Sequence, residues 1–338
     1  MSDIKLLDCT LRDGGYVNNW DFNKEQISST INNLTKAGLD YIEMGYLTSM
    51  YQDVGGSRYQ YVEIASNFIP KDRKHSKFLL MADVTQYDTD TLCPRTKNTI
   101  DGIRVVFYKR QIEQAVEFCK RVVEHGYDLF LQPMVTIDYS VTEFEELVQY
   151  FCNLCHPYAL SIVDSFGCMK PEEIATFFKV LDRNLDKNIK IGFHGHDNMQ
   201  LSLLNVISLF EVASERDIMI DASVSGIGRG AGNLHTELIV HYMNYACLGN
   251  YELEYIVHIM SNITEPISRK EQWGYSPYFM LTALKRAHPN FATYLLANYE
   301  VTVNEFKTYL SHIPDDMLTK CTRPYVEELY EKFRKQSA

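Results

Sequence analysis

Short runs of apolar and β-branched residues recur along the chain: IKLLDCTL (4–11), YIEMGYL (41–47), KFLLMADV (77–84), GIRVVFY (102–108), DLFLQPMV (128–135), ALSIVDSF (159–166), IKIGFHGH (189–196) and IMIDASVSGIG (218–228). Their length and near-continuous hydrophobicity predict strands buried on both faces, as in a parallel sheet covered by helices. Between most of them the apolar positions fall at helical spacing, as in NKEQISSTINNLTKAG (23–38) and KPEEIATFFKVLDRNL (170–185). In the second stretch Pro171 and the acids after it mark a helix start. Eight such units in about 250 residues predict an α/β fold, a closed (β/α)8 TIM barrel, better than an open sheet. Beyond residue 265 the alternation stops. The segment SRKEQWGYSPYFMLTALKRAHPNF and its continuation read as helices broken at Pro289, Pro314 and Pro324. The expected organisation is a catalytic barrel over 1–265 and a helical C-terminal extension over 266–338 packed on it.

Composition narrows the function classes. The 338 residues are 46% hydrophobic and 23% charged, ample for one large domain with an appendage. A net charge of -11 disfavours nucleic acid and anionic membrane surfaces as partners. No apolar run approaches a membrane span and MSDIKLLDCTLRD is unlike an export signal, so a cytoplasmic protein with eight reduced cysteines is expected. Cys152, Cys155 and His156 spell a haem-attachment pattern, C-x-x-C-H. They end the amphipathic stretch VTEFEELVQYFCNLCHP, so two thiols buried on a helix are expected instead.

In a barrel the chemistry gathers at the C-terminal ends of the strands. His194 and His196 stand two apart at the end of the seventh predicted strand, on one face and about 6 to 7 Å apart along the chain. That suits one metal ion, but two ligands do not make a site. Asp13 at the end of the first strand and Asn233 after the eighth supply oxygen donors. The mixed set suits Mn2+ or Mg2+, with Zn2+ as the alternative. Arg12 adjoins Asp13, and Glu43 is a lone carboxylate on an apolar strand, which would be costly to bury unpaired. Gly226, Gly228 and Ala231 match G-x-G-x-x-A, but after the last strand rather than the first, so a nicotinamide site is not expected. Gly228 and Gly230 would instead let backbone N–H groups and a helix N-terminus approach an anionic substrate group.

Together DCTLRDGG, YIEMGY, VDSFG, GFHGHDN and GIGRGAGN resemble the metal-dependent barrel lyases and synthases. That superfamily includes the 4-hydroxy-2-oxovalerate aldolases, the 3-hydroxy-3-methylglutaryl-CoA lyases and the isopropylmalate and citramalate synthases. The Asp-Ser of the sixth strand, which brings Ser165 to the substrate site, and the tail segment WGYSPYF most resemble the aldolase branch. The resemblance implies a divalent ion on Asp13, His194 and His196, with Asn233 in or near its coordination. It implies cleavage or formation of a C–C bond next to a 2-oxo acid, with a small aldehyde as the other half. Arg12 would stabilise the enolate oxygen, Glu43 would hold Arg12 or a water on the ion, and Tyr275 would reach the site from the tail. It also leaves open a homodimer and a dehydrogenase partner on the C-terminal extension.

One position departs from the aldolase pattern. Where that branch has a histidine, this chain has Tyr16. Either positive charge lowers the phenol's pKa enough for proton transfer, or Tyr16 only shapes the pocket. Three rival readings stay open: an acyl-CoA-dependent condensing transferase on the same barrel, a Schiff-base aldolase using Lys109, and a non-catalytic interaction protein.

Overall fold

The computed structural model describes residues 3–50, 56–213 and 215–337. Nine strands form its sheet: β1 (Ile4–Asp8), β2 (Tyr41–Leu47), β3 (Arg58–Tyr59), β4 (Lys77–Asp83), β5 (Gly102–Phe107), β6 (Asp128–Pro133), β7 (Ala159–Asp164), β8 (Lys190–Gly195) and β9 (Ile218–Ala222). The order runs β1-β9-β8-β7-β6-β5-β4-β2, and a further parallel β1–β2 pairing closes the circle. The two-residue β3 merely extends the end of β2. The eight barrel strands are those expected from the hydrophobic runs, most of them ending earlier than their runs. Every residue of β2, β5, β7 and β9 is buried, the fate of a strand with a barrel core on one side and helices on the other.

The side-chain period of two stacks the interior in layers. Leu7, Tyr41, Leu79, Phe130, Ala159 and Met219 form an apolar floor. Two residues further along their strands come Glu43, Gln132, Ser161 and Asp221, with Arg104 from β5 beside them, all buried. The sequence thus seals one end of the barrel with hydrocarbon and builds a polar layer directly above it. Around the barrel, helices such as Lys24–Ala37 and Pro171–Asn184 fill the predicted stretches. The first is opened by a reciprocal Asn23–Gln26 cap and closed by left-handed Gly38.

The tail contributes helices Pro277–Leu284, Asn290–Leu296, Val303–Ser311 and Arg323–Ser337. They share a cluster of buried residues that includes Phe291, Leu295, Phe306, Tyr309 and Tyr330. The tail also touches the barrel. Ala283 packs with Val135 and Phe166, the Trp273 indole N–H donates to the Ser225 carbonyl at 2.9 Å, and Arg286 pairs with Glu173 at 2.5 Å. Cys155 is buried on helix Val141–Cys155 and Cys152 half-buried; both thiols are free. No described helix is long and apolar enough to cross a membrane.

Candidate active site

The chain turns sharply where β1 ends. The Asp8 carboxylate accepts the Thr10 N–H at 2.9 Å, and the next residues form a single helical turn, Thr10–Asp13. Arg12 and Asp13 therefore ride on a turn just past the strand rather than on the strand itself. Asp13 meets His194 and His196, with one ligand atom from each lying within 4.8 Å of the others. His194 Nδ1–H donates to Asp221 at 3.0 Å and His196 Nδ1–H to the Gly232 carbonyl at 3.2 Å. Both acceptors fix the tautomer, leaving the two Nε2 lone pairs for an ion.

Two further observations fit a cation. Asp13 Oδ2 and Asn233 Oδ1 are buried acceptors with no hydrogen-bond partner. Such groups are costly without a cation or donor. Asn233 spends its amide N–H groups on Ser223 Oγ at 3.3 Å and the Ile227 carbonyl at 3.1 Å, so its oxygen is turned away from them. Burial pushes the Asp13 carboxyl up, but the positive charges of Arg12 and Arg229 outweigh it and hold Asp13 well below the usual carboxylate range. Burial keeps His196 neutral, its pKa down to about 3 despite Asp13 beside it. Carboxylate, amide oxygen and two imidazoles form a donor set suited to Mn2+, Mg2+ or Zn2+.

A buried chain of charges runs behind these ligands. Arg12 donates from Nε to Glu43 at 2.7 Å and from Nη1 to Asp13 at 2.6 Å. The same Glu43 oxygen accepts from Arg104 Nη1 at 2.9 Å. Arg104 Nη2 donates to Asp221, whose same oxygen holds His194. Asp13 and His194 are thus tied to each other through four intervening side chains. Two guanidinium groups against three carboxylates leave one net negative charge beside the ligands, which favours a cation there. Glu43, expected to hold Arg12 or a water on the ion, does not line the cavity and accepts from Arg12. Arg12 Nη2, by contrast, is a buried donor with no protein partner. Arg104 and Asp221 were missed by the sequence reading, although each is a lone charge in an apolar strand, the signal that singled out Glu43.

A cavity of about 340 Å3 opens above this layer. Arg12, Asp13, Tyr16, Ser165, His194 and His196 all line it. Ser165 Oγ accepts the Val135 N–H at 2.9 Å and donates to Met134 Sδ at 3.9 Å, a weak acceptor that a substrate oxygen would replace. The Tyr16 ring is held edge-on by Trp20 at 4.7 Å, with the Arg229 guanidinium 5.5 Å from its centre. Of the two alternatives for Tyr16, a lowered phenol pKa is not what the surroundings favour: although 42% of the residue is exposed, loss of solvation pushes the phenol up against the pull of Arg229 and Arg12, so Tyr16 stays protonated.

Other expected site residues fall elsewhere. Tyr275 is 59% exposed and does not line the cavity. The tail instead contributes His288, Asn290 and Cys321 to the lining. His288 was not foreseen. It is buried, and its Nδ1 accepts the Asn290 N–H at 3.1 Å, so the neutral ring carries its proton on Nε2 as a donor. Gly228 and Gly230 do not line the cavity either, whereas Arg229 between them does. Gly228 makes room for the ligands instead. A Cβ there would strike the Asn233 amide and come within 2.9 Å of Asp13 Oδ2, so only glycine lets these two side chains sit side by side. The helix after this loop begins at Thr236. Lys109 pairs with Glu143 at 2.6 Å on the outside and is absent from the lining, which removes the Schiff-base candidate.

Residues 3–263 match the HMGL-like family. The chain belongs to the HMGL-like family. Among its curated relatives is the 4-hydroxy-2-oxovalerate aldolase of Geobacillus thermodenitrificans, 26% identical over 280 residues that cover 80% of this chain and 78% of the relative. The protein of the same name from Marinomonas sp. is 28% identical over 71% of this chain and 70% of its own. Among solved structures, the N-terminal domain of a candidate aldolase from Bacteroides vulgatus superposes with a TM-score of 0.74 at 27% identity, over 89% of this chain and 98% of that one. The HMG-CoA lyase of Bacillus subtilis shares the fold, with a TM-score of 0.61 at 17% identity over 79% of this chain and 94% of that one. The HMGL-like match ends at residue 263, before the connection between helices Pro277–Leu284 and Asn290–Leu296 that supplies His288.

Proposed function

We propose that this HMGL-like chain is a divalent-metal-dependent aldolase that cleaves, or in reverse forms, the C–C bond of a 4-hydroxy-2-oxo acid. The observation that carries this reading is the meeting of Asp13, His194 and His196 in one cavity with a partnerless Arg12 nitrogen. The ion, Mn2+ or Mg2+ by its donors, would rest on those three residues and Asn233, and when bound supplies Lewis acidity to the keto oxygen.

Every other part falls to side chains. Arg12, pinned by Glu43 and Asp13, points its remaining Nη2–H at the oxygen that becomes negative in the enolate. The Ser165 hydroxyl donates to the substrate carboxylate. Cleavage passes the 4-hydroxyl proton to water in the cavity, the O–H electron pair forming the aldehyde C=O as the C3–C4 bond breaks, and Tyr16 regains from that water the proton it gives to C3. The bonding pair passes to the pyruvate enolate, and a proton returns to C3, so the reaction is redox-neutral. Tyr16, protonated at neutral pH, is the proton source for C3. His288 Nε2–H donates to the oxygen on C4.

We further propose pyruvate as the keto-acid product, a cytoplasmic location, and a division of the chain at 265/266. The aromatic tail is where a second copy or a dehydrogenase partner would dock. The deciding experiment is metal analysis of the purified chain with a pyruvate-release screen over 4-hydroxy-2-oxo acids. Stoichiometric divalent metal, and pyruvate release that chelation stops and Mn2+ restores, are expected. Metal content unchanged in the His194→Ala, His196→Ala double variant would place the ion elsewhere. Coenzyme A release from acetyl-CoA with a 2-oxo acid would favour the condensing transferase.

A further inference from the structure

Two arginines of the cavity take no part in the charge chain behind the ion. Arg229 stacks over Tyr16, and Arg110, which follows β5, has its guanidinium 4.9 Å from the centre of the Tyr108 ring. Neither has a carboxylate partner among the described residues, and Arg229 Nε is a buried donor with no acceptor. A guanidinium laid on an aromatic face has its orientation fixed while its edge N–H groups stay available. Both line the cavity, on a chain whose net charge is -11.

The charges of the inner site balance without them. The buried chain is one unit negative, a divalent ion makes it one unit positive, and the carboxylate of a 2-oxo acid neutralises it. The outer cavity then holds Arg229 and Arg110 against a single carboxylate, Asp83. One Asp83 oxygen is already occupied by the Thr85 backbone N–H at 2.7 Å and hydroxyl at 2.6 Å. Arg110 is exposed and solvated, but a small neutral aldehyde would leave the buried Arg229 Nε–H without an acceptor. Gln86 and Asn290 add amides to the same lining, which suits hydroxyl groups better than hydrocarbon.

We propose that the aldehyde half of the substrate carries an anionic group, a carboxylate or a phosphate, which Arg229 and Arg110 hold at the end remote from the keto acid. This rests on the aldolase reading and names its substrate class. Arginine suits either anion because its fork matches both geometries.

The test uses the full chain loaded with Mn2+. Pyruvate release is compared for 4-hydroxy-2-oxovalerate and for two longer analogues, one ending in a carboxylate and one in a phosphate. In parallel, calorimetry measures binding of two unreactive probes, 3-hydroxypropanoate and glycerol 3-phosphate. The expected result is a kcat/KM at least about tenfold higher for one charged analogue, with saturable binding of the probe of the same charge type. Arg229→Gln and Arg110→Gln should each erase that preference, through KM, and weaken the probe at least about tenfold. Equal or better turnover of 4-hydroxy-2-oxovalerate, with no probe binding, overturns the anionic half and leaves the aldolase standing. Probe binding that both variants lose, without pyruvate from any compound, keeps the anion site and overturns the aldolase. Neither pyruvate nor probe binding overturns both.

Discussion

Replacing Asp221 by asparagine tests whether the buried charge chain sets metal affinity. Asparagine keeps the volume, so no cavity opens, but it removes the charge that one oxygen shares between Arg104 and His194 Nδ1. Hydrogen bonds to charged groups contribute about 1.5–3 kcal/mol net. Losing the carboxylate behind a metal-binding histidine typically weakens the metal by about 10- to 100-fold, or about 1.4–2.7 kcal/mol. The two ranges agree, so the loss should fall within them. Because Arg104 loses half of its compensation, the metal-free fold will also be less stable. The informative quantity is therefore the difference that the ion makes.

At free Mn2+ of about 1,000 times the wild-type dissociation constant, binding stabilises the wild type by about 4.1 kcal/mol. A variant about 100-fold weaker sits at about ten times its own constant and gains only about 1.4 kcal/mol. Urea unfolding with and without Mn2+ measures that gap, and calorimetric titration of the metal-free protein gives the constant directly. An Asp221→Asn protein that binds Mn2+ within about twofold of wild type would falsify the idea that this chain of charges orients His194. Asp221 would then serve only to neutralise Arg104.

Four further outcomes follow from the same geometry. Arg12→Lys should lower kcat by about 10²- to 10³-fold with metal content unchanged, since lysine cannot hold Glu43 and Asp13 and still offer a third donor; near-normal turnover would reduce Arg12 to a structural pair. Tyr16→Phe should cost at least about tenfold in kcat, about 1.4 kcal/mol of barrier, whereas Tyr275→Phe, exposed and outside the cavity, should not change it; the reverse order would return the tail tyrosine to the site. Gly228→Ala drives a methyl group between Asn233 and Asp13 and should weaken Mn2+ at least about tenfold by titration, with the far-ultraviolet circular dichroism of the barrel intact. His288→Phe removes the Nε2–H donor without opening a void and should lower kcat about tenfold at unchanged metal content; full activity would make His288 a packing residue against Phe166.

The barrel was legible because its signal is local and repeated. Each strand is buried on both faces and so announces itself as a short apolar run, and eight runs separated by helical spacing leave little else to build. The candidate metal ligands were legible for a related reason: His194 and His196 share a face by strand period alone, and the barrel must bring Asp13 and Asn233 to the same end. Arg104 and Asp221 could have been found by the same logic as Glu43. A charge inside an apolar strand must meet its opposite, and three such strands offer one cation and two anions. What no periodicity encodes is how the tail lies over the mouth of the barrel. Tyr275 belongs to a motif and His288 does not, yet docking through Ala283, Arg286 and Trp273 sets the second over the cavity and leaves the first in solvent. The placement of a helix on a surface depends on the shapes of both partners. For Tyr16, likewise, sequence shows that cations are near but not how far the phenol loses solvation, which here outweighs them and raises its pKa although 42% of the residue is exposed.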